Sequence, residues 1–299
     1  MKNKLSVVFI LLAGALWGSS CLFVSKLTQM GFSSLECTAI RIVTAAVILN
    51  AMLIIKGRGF KYYKISLGSY LIAAASGICS VLAMCVFYYS SMLATSAAVS
   101  AILLYTAPLF VMVMSLIFFK EKLSAVKIAA FVIAIVGCAL VSGVASGAQM
   151  SGKGLIFGVL SGFTYSLYGI LTVLYMKKNS EPLAFSAQSF AFAAIGSLFL
   201  ANPVSIGVKV GETGNGVLLT LLLFVVFSTA TAVLPFVFYT YGLSGVKPST
   251  ASILAFSEPL TAAVLGVAVL HQRMDVFGVV GIVLVVVAIV MLSRGRDKN

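Results

Sequence analysis

Charge is what this chain has least of. Only 9% of its 299 residues are Asp, Glu, Lys or Arg, against about 25% in an ordinary soluble domain, while 61% are hydrophobic. A water-facing surface cannot be made from that balance. Histidine occurs once, at His271, and neither H-E-x-x-H nor G-x-S-x-G is present. Those absences remove the nucleophile–base pairs and metal clusters on which an intramembrane enzyme depends, so no catalytic residue, metal or cofactor is expected. The ATP-binding signature G-x-x-x-x-G-K-S/T is also missing, which leaves no direct ATP drive within the chain. The five cysteines, Cys21, Cys37, Cys79, Cys85 and Cys138, lie in or beside apolar stretches without a C-x-x-C pair, and read as small packing residues. Seven acidic residues face 20 basic ones, for a net charge of +13. The basic residues stand singly or in short clusters between apolar stretches, a distribution that suits a membrane surface and not nucleic acid.

What is abundant is the long apolar run. Blocks fall at about 5 to 27, 34 to 55, 66 to 90, 97 to 119, 124 to 145, 154 to 176, 183 to 201, 216 to 241, 249 to 270 and 275 to 293, most of them near the roughly 20 residues a helix needs to cross the hydrocarbon core. None alternates polar and apolar as a membrane strand does, and a lipid-embedded backbone must satisfy its own hydrogen bonds, so each is expected to be a helix. The fold class is therefore an all-α membrane protein of ten transmembrane helices. The basic start and first block resemble a signal peptide, but the block is too long for one, and its Ala13-x-Ala15 match lies inside it. It reads as an uncleaved first helix.

Counting Lys and Arg by side places 15 with the N-terminus and four opposite, with Arg41 inside the second helix. Both termini are expected on the cytoplasmic side. A shift of 151 residues lays Leu16 on Leu167, Gly18 on Gly169 and Lys26 on Lys177, and without a gap lays Phe87 on Phe238, Tyr88 on Tyr239 and Pro108 on Pro259. The chain reads as two copies of a five-helix unit, residues 1–150 and 151–299. An odd number of crossings makes the second copy enter from the opposite side, giving two inverted five-helix repeats, an arrangement that places a substrate between the copies near the bilayer midplane.

Residues present in one copy alone are not needed merely to build the unit. Glu258 corresponds to Ala107 and lies roughly 14 Å deep at 1.5 Å per residue, where a charged side chain costs at least about 2.5–3.5 kcal/mol. It reads either as a cation or proton site on an aqueous cavity or as a paired structural acid. Pro259 has its partner in Pro108, so the helix-kinking prolines are shared scaffold. Arg41 corresponds to Phe192 and reads as an anchor for a substrate carboxylate, a counter-ion to Glu258, or an arginine satisfying helix-end carbonyls. Glu36 and Lys26 read as interfacial charges. Trp17 pairs with Tyr168 across the repeat, Tyr88 with Tyr239, and Tyr105 with Phe256, with Tyr89, Tyr165 and Tyr241 nearby. These aromatics can line a cavity and grip a cationic or apolar group, or form an interfacial belt. Gly14 with Gly18, and Gly158 with Gly162, allow close helix contact.

The motifs "LWGSS" in helix one, "AIRIV" in helix two, "TAPL" leading to "FFKEKLS" in helix four and "SEPL" in helix nine resemble the EamA-type members of the drug/metabolite transporter superfamily over nearly the whole chain. The resemblance implies a multi-pass carrier of the bacterial inner membrane, often an exporter of amino acids or related metabolites, working by alternating access. It also implies that Arg41, Glu121 and Glu258 occupy recurrent charged positions. One departure is Gln272, where the family often repeats the helix-four acid. The function expected is secondary transport of a small polar or zwitterionic metabolite, proton-coupled or facilitative, with Glu258, Trp17, Tyr88, Tyr89, Tyr105, Tyr168, Tyr239 and Arg41 as substrate-binding residues. A passive channel and a non-transporting membrane scaffold are the alternatives. The expected partners are a small-molecule substrate, the lipid bilayer and, where transport is coupled, protons; the chain is expected to be a monomer or weak dimer.

Overall fold

The computed structural model describes residues 2–57, 59–142, 151–179, 181–214, 216–271 and 274–294, and among them the chain is helical with no strand. Gln272, the position that departs from the family pattern, lies outside the described residues. In chain order the helices are α1 (Lys2–Gly18), α2 (Ser20–Gln29), α3 (Ser34–Gly57), α4 (Leu67–Ala75), α5 (Ala83–Ala94), α6 (Ala97–Leu104), α7 (Ala107–Phe119), α8 (Ala125–Val141), α9 (Gly152–Met176), α10 (Pro182–Ser197), α11 (Pro203–Glu212), α12 (Val217–Ser228), α13 (Leu234–Gly242), α14 (Pro248–Leu254), α15 (Ser257–Ala268) and α16 (Val276–Arg294). Several run on from one another, giving eight stretches long and apolar enough to cross a membrane, such as Leu67–Ala94 and Val217–Gly242. The other two expected blocks form shorter helices, α8 of 17 residues and α10 of 16.

α10 is short of apolar length for a physical reason. Every residue from Pro182 to Phe190 is buried, including Ser186, Gln188 and Ser189, so the helix faces protein and needs no lipid-compatible surface. The peripheral helices do the reverse. Leu218, Ile117 and Phe277 are each about two-thirds exposed or more, and apolar exposure on that scale belongs against lipid. α11 fills a segment read from the sequence as a loop. Asn202 caps it, its side chain accepting from Val204 N at 2.9 Å, and Pro203 occupies its first turn, where a missing N–H is harmless.

Backbone irregularities recur at the offset read from the sequence. Lys120 and His271, the non-glycine residues with positive φ among those described (52° and 53°), are 151 positions apart. π-helical turns occupy Ser76–Leu82 and Thr229–Val233, and adding 151 to the first reaches the end of the second. α6 breaks from α7 at residues 105–106, and α14 from α15 at 255–256. Pro108 and Pro259 lie in the first turn after each break, so the chain is interrupted there and not merely bent.

The small-residue pairs fall at close helix crossings. A Cβ on Gly18 would lie 2.4 Å from Glu258 O, and one on Gly162 would lie 2.8 Å from Leu103 O. Each pair thus receives a broken segment of another helix, α1 against the α14–α15 break and α9 against the α6–α7 break. Glu36, in the first turn of α3, is a buried and paired charge. It is 7% exposed, accepts the Ser33 N–H at 2.7 Å as a capping box, and pairs with Lys209 of α11 at 2.6 Å. The helix that the sequence hid supplies the cation that lets this acid be buried. All five cysteines are free.

Candidate functional site

Glu258 is the second residue of α15. The break at 255–256 turns the chain just before it, and Gly18 lets α1 press against its backbone. Its side chain lines a cavity of about 10 Å³ with Tyr105, Pro108, Tyr165, Ser252 and Phe256. A neighbouring cavity of about 20 Å³ is walled by Trp17, Ser80, Tyr165, Tyr168, Phe236 and Tyr239, among others. Ala107, Tyr165 and Ser252 belong to both walls. A water needs roughly 10–15 Å³ of such space, so each cavity has room for about one. Among the described residues Glu258 is the only charged side chain on either wall.

The aromatic wall is continuous. Trp17 meets Phe236 at 5.1 Å between centroids, Tyr239 at 5.4 Å and Tyr165 at 6.2 Å. Tyr168 meets Phe236 edge-on at 4.8 Å, a favoured geometry for rings with a negative face and positive edge. Its hydroxyl is fixed by Ser186 Oγ at 3.0 Å and Thr240 Oγ1 at 3.1 Å, which are 3.1 Å from each other. Tyr105 and Phe256, equivalent positions of the two copies, pack on each other at 5.8 Å. Ser80 and Val81, in the π-helical turn after α4, complete the wall; such turns often occur at functional sites because they re-aim side chains.

Most of the residues chosen from the sequence are therefore brought together. Trp17, Tyr105, Tyr168, Tyr239 and Glu258 line the cavities, and Tyr88 lies close enough for the Glu258 charge to act on it. Tyr89, one position round α5 from Tyr88, is on neither wall. Arg41 is also off both walls. Its Nη2 approaches Cys85 Sγ at 3.8 Å, and it makes no ion pair with Glu258 among the described residues, although it is the cation whose field reaches that acid. Tyr165 is the residue most undervalued by sequence, since it lines both cavities and shares one wall with Glu258. Its equivalent under the shift is Gly14, so the copies offered no matching aromatic to mark it.

A polar cluster lies one helical turn from Ser252. Lys127 Nζ is 2.7 Å from Glu121 Oε1 and donates to Ser249 Oγ at 3.2 Å, while the Ser249 hydroxyl also donates to Glu121. Both charged side chains are nearly sealed, 4% and 2% exposed. The cluster ties the end of α7 and the start of α8 to α14. Beyond it opens a far larger hollow. No group of three or more His, Cys, Asp or Glu is placed to hold a metal among the described residues.

Comparison with known proteins follows the same lines. A 307-residue alignment with the uncharacterized transporter YxxF of Bacillus subtilis (strain 168) shows 25% identity and covers all of this chain and 93% of that one. An uncharacterized transporter of Clostridium kluyveri is 26% identical over 99% of this chain and 96% of its own, and one of Archaeoglobus fulgidus is 27% identical over 69% and 71%. A solved crystal structure superimposes with a TM-score of 0.76 over 96% of both chains at 15% identity, a likeness of fold alone. The profile of the EamA-like transporter family matches twice, at residues 4–143 and 152–294. A polytopic helical chain that carries the family pattern in both halves is a multi-pass membrane protein and belongs to the EamA-like transporter family.

Proposed function

We propose that this chain is a secondary transporter that exports a small polar or zwitterionic metabolite, such as an amino acid, across the bacterial inner membrane by alternating access. In this reading residues 1–150 and 151–299 are inverted five-helix repeats with both termini in the cytoplasm. The double match to the family, the recurrence of backbone irregularities 151 residues apart and the 15-to-four bias of basic residues support it. The observation that carries the functional part is Glu258, a carboxylate without an ion-pair partner among the described residues, on the wall of an aromatic-lined cavity. Charge at such depth marks a substrate or proton path more often than a scaffold.

Glu258 takes the substrate ammonium group or a proton, with Tyr165 orienting its carboxylate. Trp17, Tyr88, Tyr105, Tyr168 and Tyr239, joined by Phe236, hold the remainder of the ligand, and Arg41 biases the field toward a carboxylate without touching it. Neither cavity admits a metabolite as it stands, so the helices must part for the ligand to enter. Closure of this kind favours a carrier over an open channel.

The test is counterflow of labelled amino acids into liposomes holding the purified protein. Saturable counterflow is expected from the native chain and its loss from Glu258→Gln. An imposed pH gradient that drives accumulation only with Glu258 present would establish proton coupling, and equilibration without accumulation a facilitative carrier. Counterflow unchanged by Glu258→Gln at every pH would remove the acid from the mechanism.

A further inference from the structure

Five of the lysines behind the charge bias converge on one hollow. A pocket of about 980 Å³ opens at the end of the bundle where α7, α9, α13 and α16 finish and α8 and α14 begin. Lys120, Lys122, Lys127, Lys177 and Lys247 line it against one acid among the described residues, Glu121. Glu121 is held by Lys127 and Ser249. No acid pairs with the other four lysines among the described residues. Gathering like charges at a concave site is unfavourable unless an anion joins them, and the same field concentrates anions there.

Two further features give the anion a shape. Thr250 is 6% exposed and lines the pocket, and its Oγ1 has no hydrogen-bond partner among the described residues. Buried hydroxyls are normally satisfied, and this sealed one is left with a hydrogen bond to give to a ligand oxygen once the wall shifts to admit it. α8 also starts at the wall. Its cap, Ser124, accepts from Lys127 N, which leaves other first-turn N–H groups and the positive end of the helix dipole turned toward the pocket mouth. Several ammonium groups, a hydroxyl and free N–H groups together suit a phosphate group better than a lone carboxylate.

The apolar side of the pocket decides between a soluble phosphate and a lipid. Phe119, Val126, Leu243 and Leu292 share the wall with the lysines. One turn beyond Ser124 on the pocket wall, the exposed face of α8 runs through Ile128, Val132 and Val136, each about half exposed and spaced four apart to form one stripe along the helix. A headgroup in the pocket would leave its acyl chains on that stripe. We propose that this pocket binds the phosphate-bearing headgroup of an anionic membrane lipid. Basic pockets between helix ends are a recurrent way of holding such lipids. The inference does not depend on what the central cavity carries.

Native mass spectrometry of the delipidated protein, offered equimolar phosphatidylglycerol and phosphatidylcholine, tests it. Phosphatidylglycerol is expected to be retained in preference, and Lys122→Gln with Lys247→Gln is expected to lower that preference about tenfold or more, each lysine contributing roughly a factor of five. Lys64→Gln with Lys153→Gln, outside the pocket, is expected to leave it unchanged. Equal retention of the two lipids, or an equal loss in both double variants, would overturn the proposal. Displacement of phosphatidylglycerol by inorganic phosphate replacing chloride at constant ionic strength would also overturn the lipid assignment, in favour of a soluble phosphate at the same lysines.

Discussion

Gly18→Ala tests the contact on which the placement of Glu258 rests. A Cβ at this position would lie 2.4 Å from Glu258 O, 2.8 Å from Thr261 Cβ and 2.9 Å from Ala262 N. Two of those atoms are backbone and cannot rotate away. An unstrained contact lies at about 3.5–4.0 Å, so α15 must withdraw by roughly 1 Å. Overpacking of this kind costs about 1–3 kcal/mol, against a helix-propensity return of at most about 1 kcal/mol. The same substitution at Gly207, within α11 and with nothing inside 4 Å of its Cβ, has the return without the clash and should stabilise by about 0.5–1 kcal/mol. The apparent melting temperature in detergent should therefore fall for Gly18→Ala and rise for Gly207→Ala. Because the withdrawal carries Glu258 away from Tyr165, counterflow by Gly18→Ala should fall further than its folded fraction does, measured at a temperature where the variant is folded. Native stability and native transport in Gly18→Ala together would show that α1 and α15 do not approach as described.

Lys127→Met leaves the Glu121 carboxylate sealed without its cation, and removal of one partner from a buried pair costs about 3–5 kcal/mol. Adding Glu121→Gln should return much of that loss in the melting temperature; a single variant as stable as the native chain would mean that water reaches the carboxylate. Tyr168→Phe removes a hydroxyl held by Ser186 and Thr240, and should cost about 1 kcal/mol of stability with little change in substrate affinity. Tyr165→Phe should do the opposite, weakening affinity in a binding titration while the melting temperature stays put, and the reverse pattern would assign Tyr165 to the scaffold.

Much of the architecture was legible because bilayer thickness and backbone satisfaction leave few options. The expected 34 to 55 and 97 to 119 blocks match Ser34–Gly57 and Ala97–Phe119 closely. What hydropathy could not show was partnership. Glu36 read as interfacial because α11 was missed, and α11 was missed because it is short and half polar, although Asn202-Pro203 is a recognisable helix start. The π-helical turns leave no clear mark in residue types. Tyr165 was visible as a residue but not as the neighbour of Glu258, since that depends on how α9 is rotated against α15. Four of the five lysines of the basic pocket come from three separate connections, and a count by side, however accurate, says nothing about their meeting.

Departures from the repeat occur in both halves of the chain, and two of them touch. In the first copy α1 is interrupted after Gly18, because Ser19 Oγ donates to Leu16 O at 2.7 Å, the Ser20 hydroxyl donates to Trp17 O and Cys21 Sγ approaches Gly18 O at 3.3 Å. Side chains that bond back to the preceding turn bend helices. Ile170 and Leu171 stand at the positions of Ser19 and Ser20 in the second half, and α9 runs unbroken from Gly152 to Met176 although Ser161, Ser166 and Thr172 each bond back singly to the preceding turn, so what sets α1 apart is three such bonds from consecutive residues. In the second copy the departure is Glu258. The interrupted turn lies directly against it, through Gly18. Neither feature is shared between the two halves, yet they meet from opposite ends of the chain beside the cavities, so a role for the turn beyond packing is open to a direct test. Ser19→Ala with Ser20→Ala removes the back-bonding and should regularise α1 at no cost in melting temperature while slowing counterflow. Lower stability with undiminished counterflow would return the serines to the scaffold and leave Glu258 as the sole functional departure from the repeat.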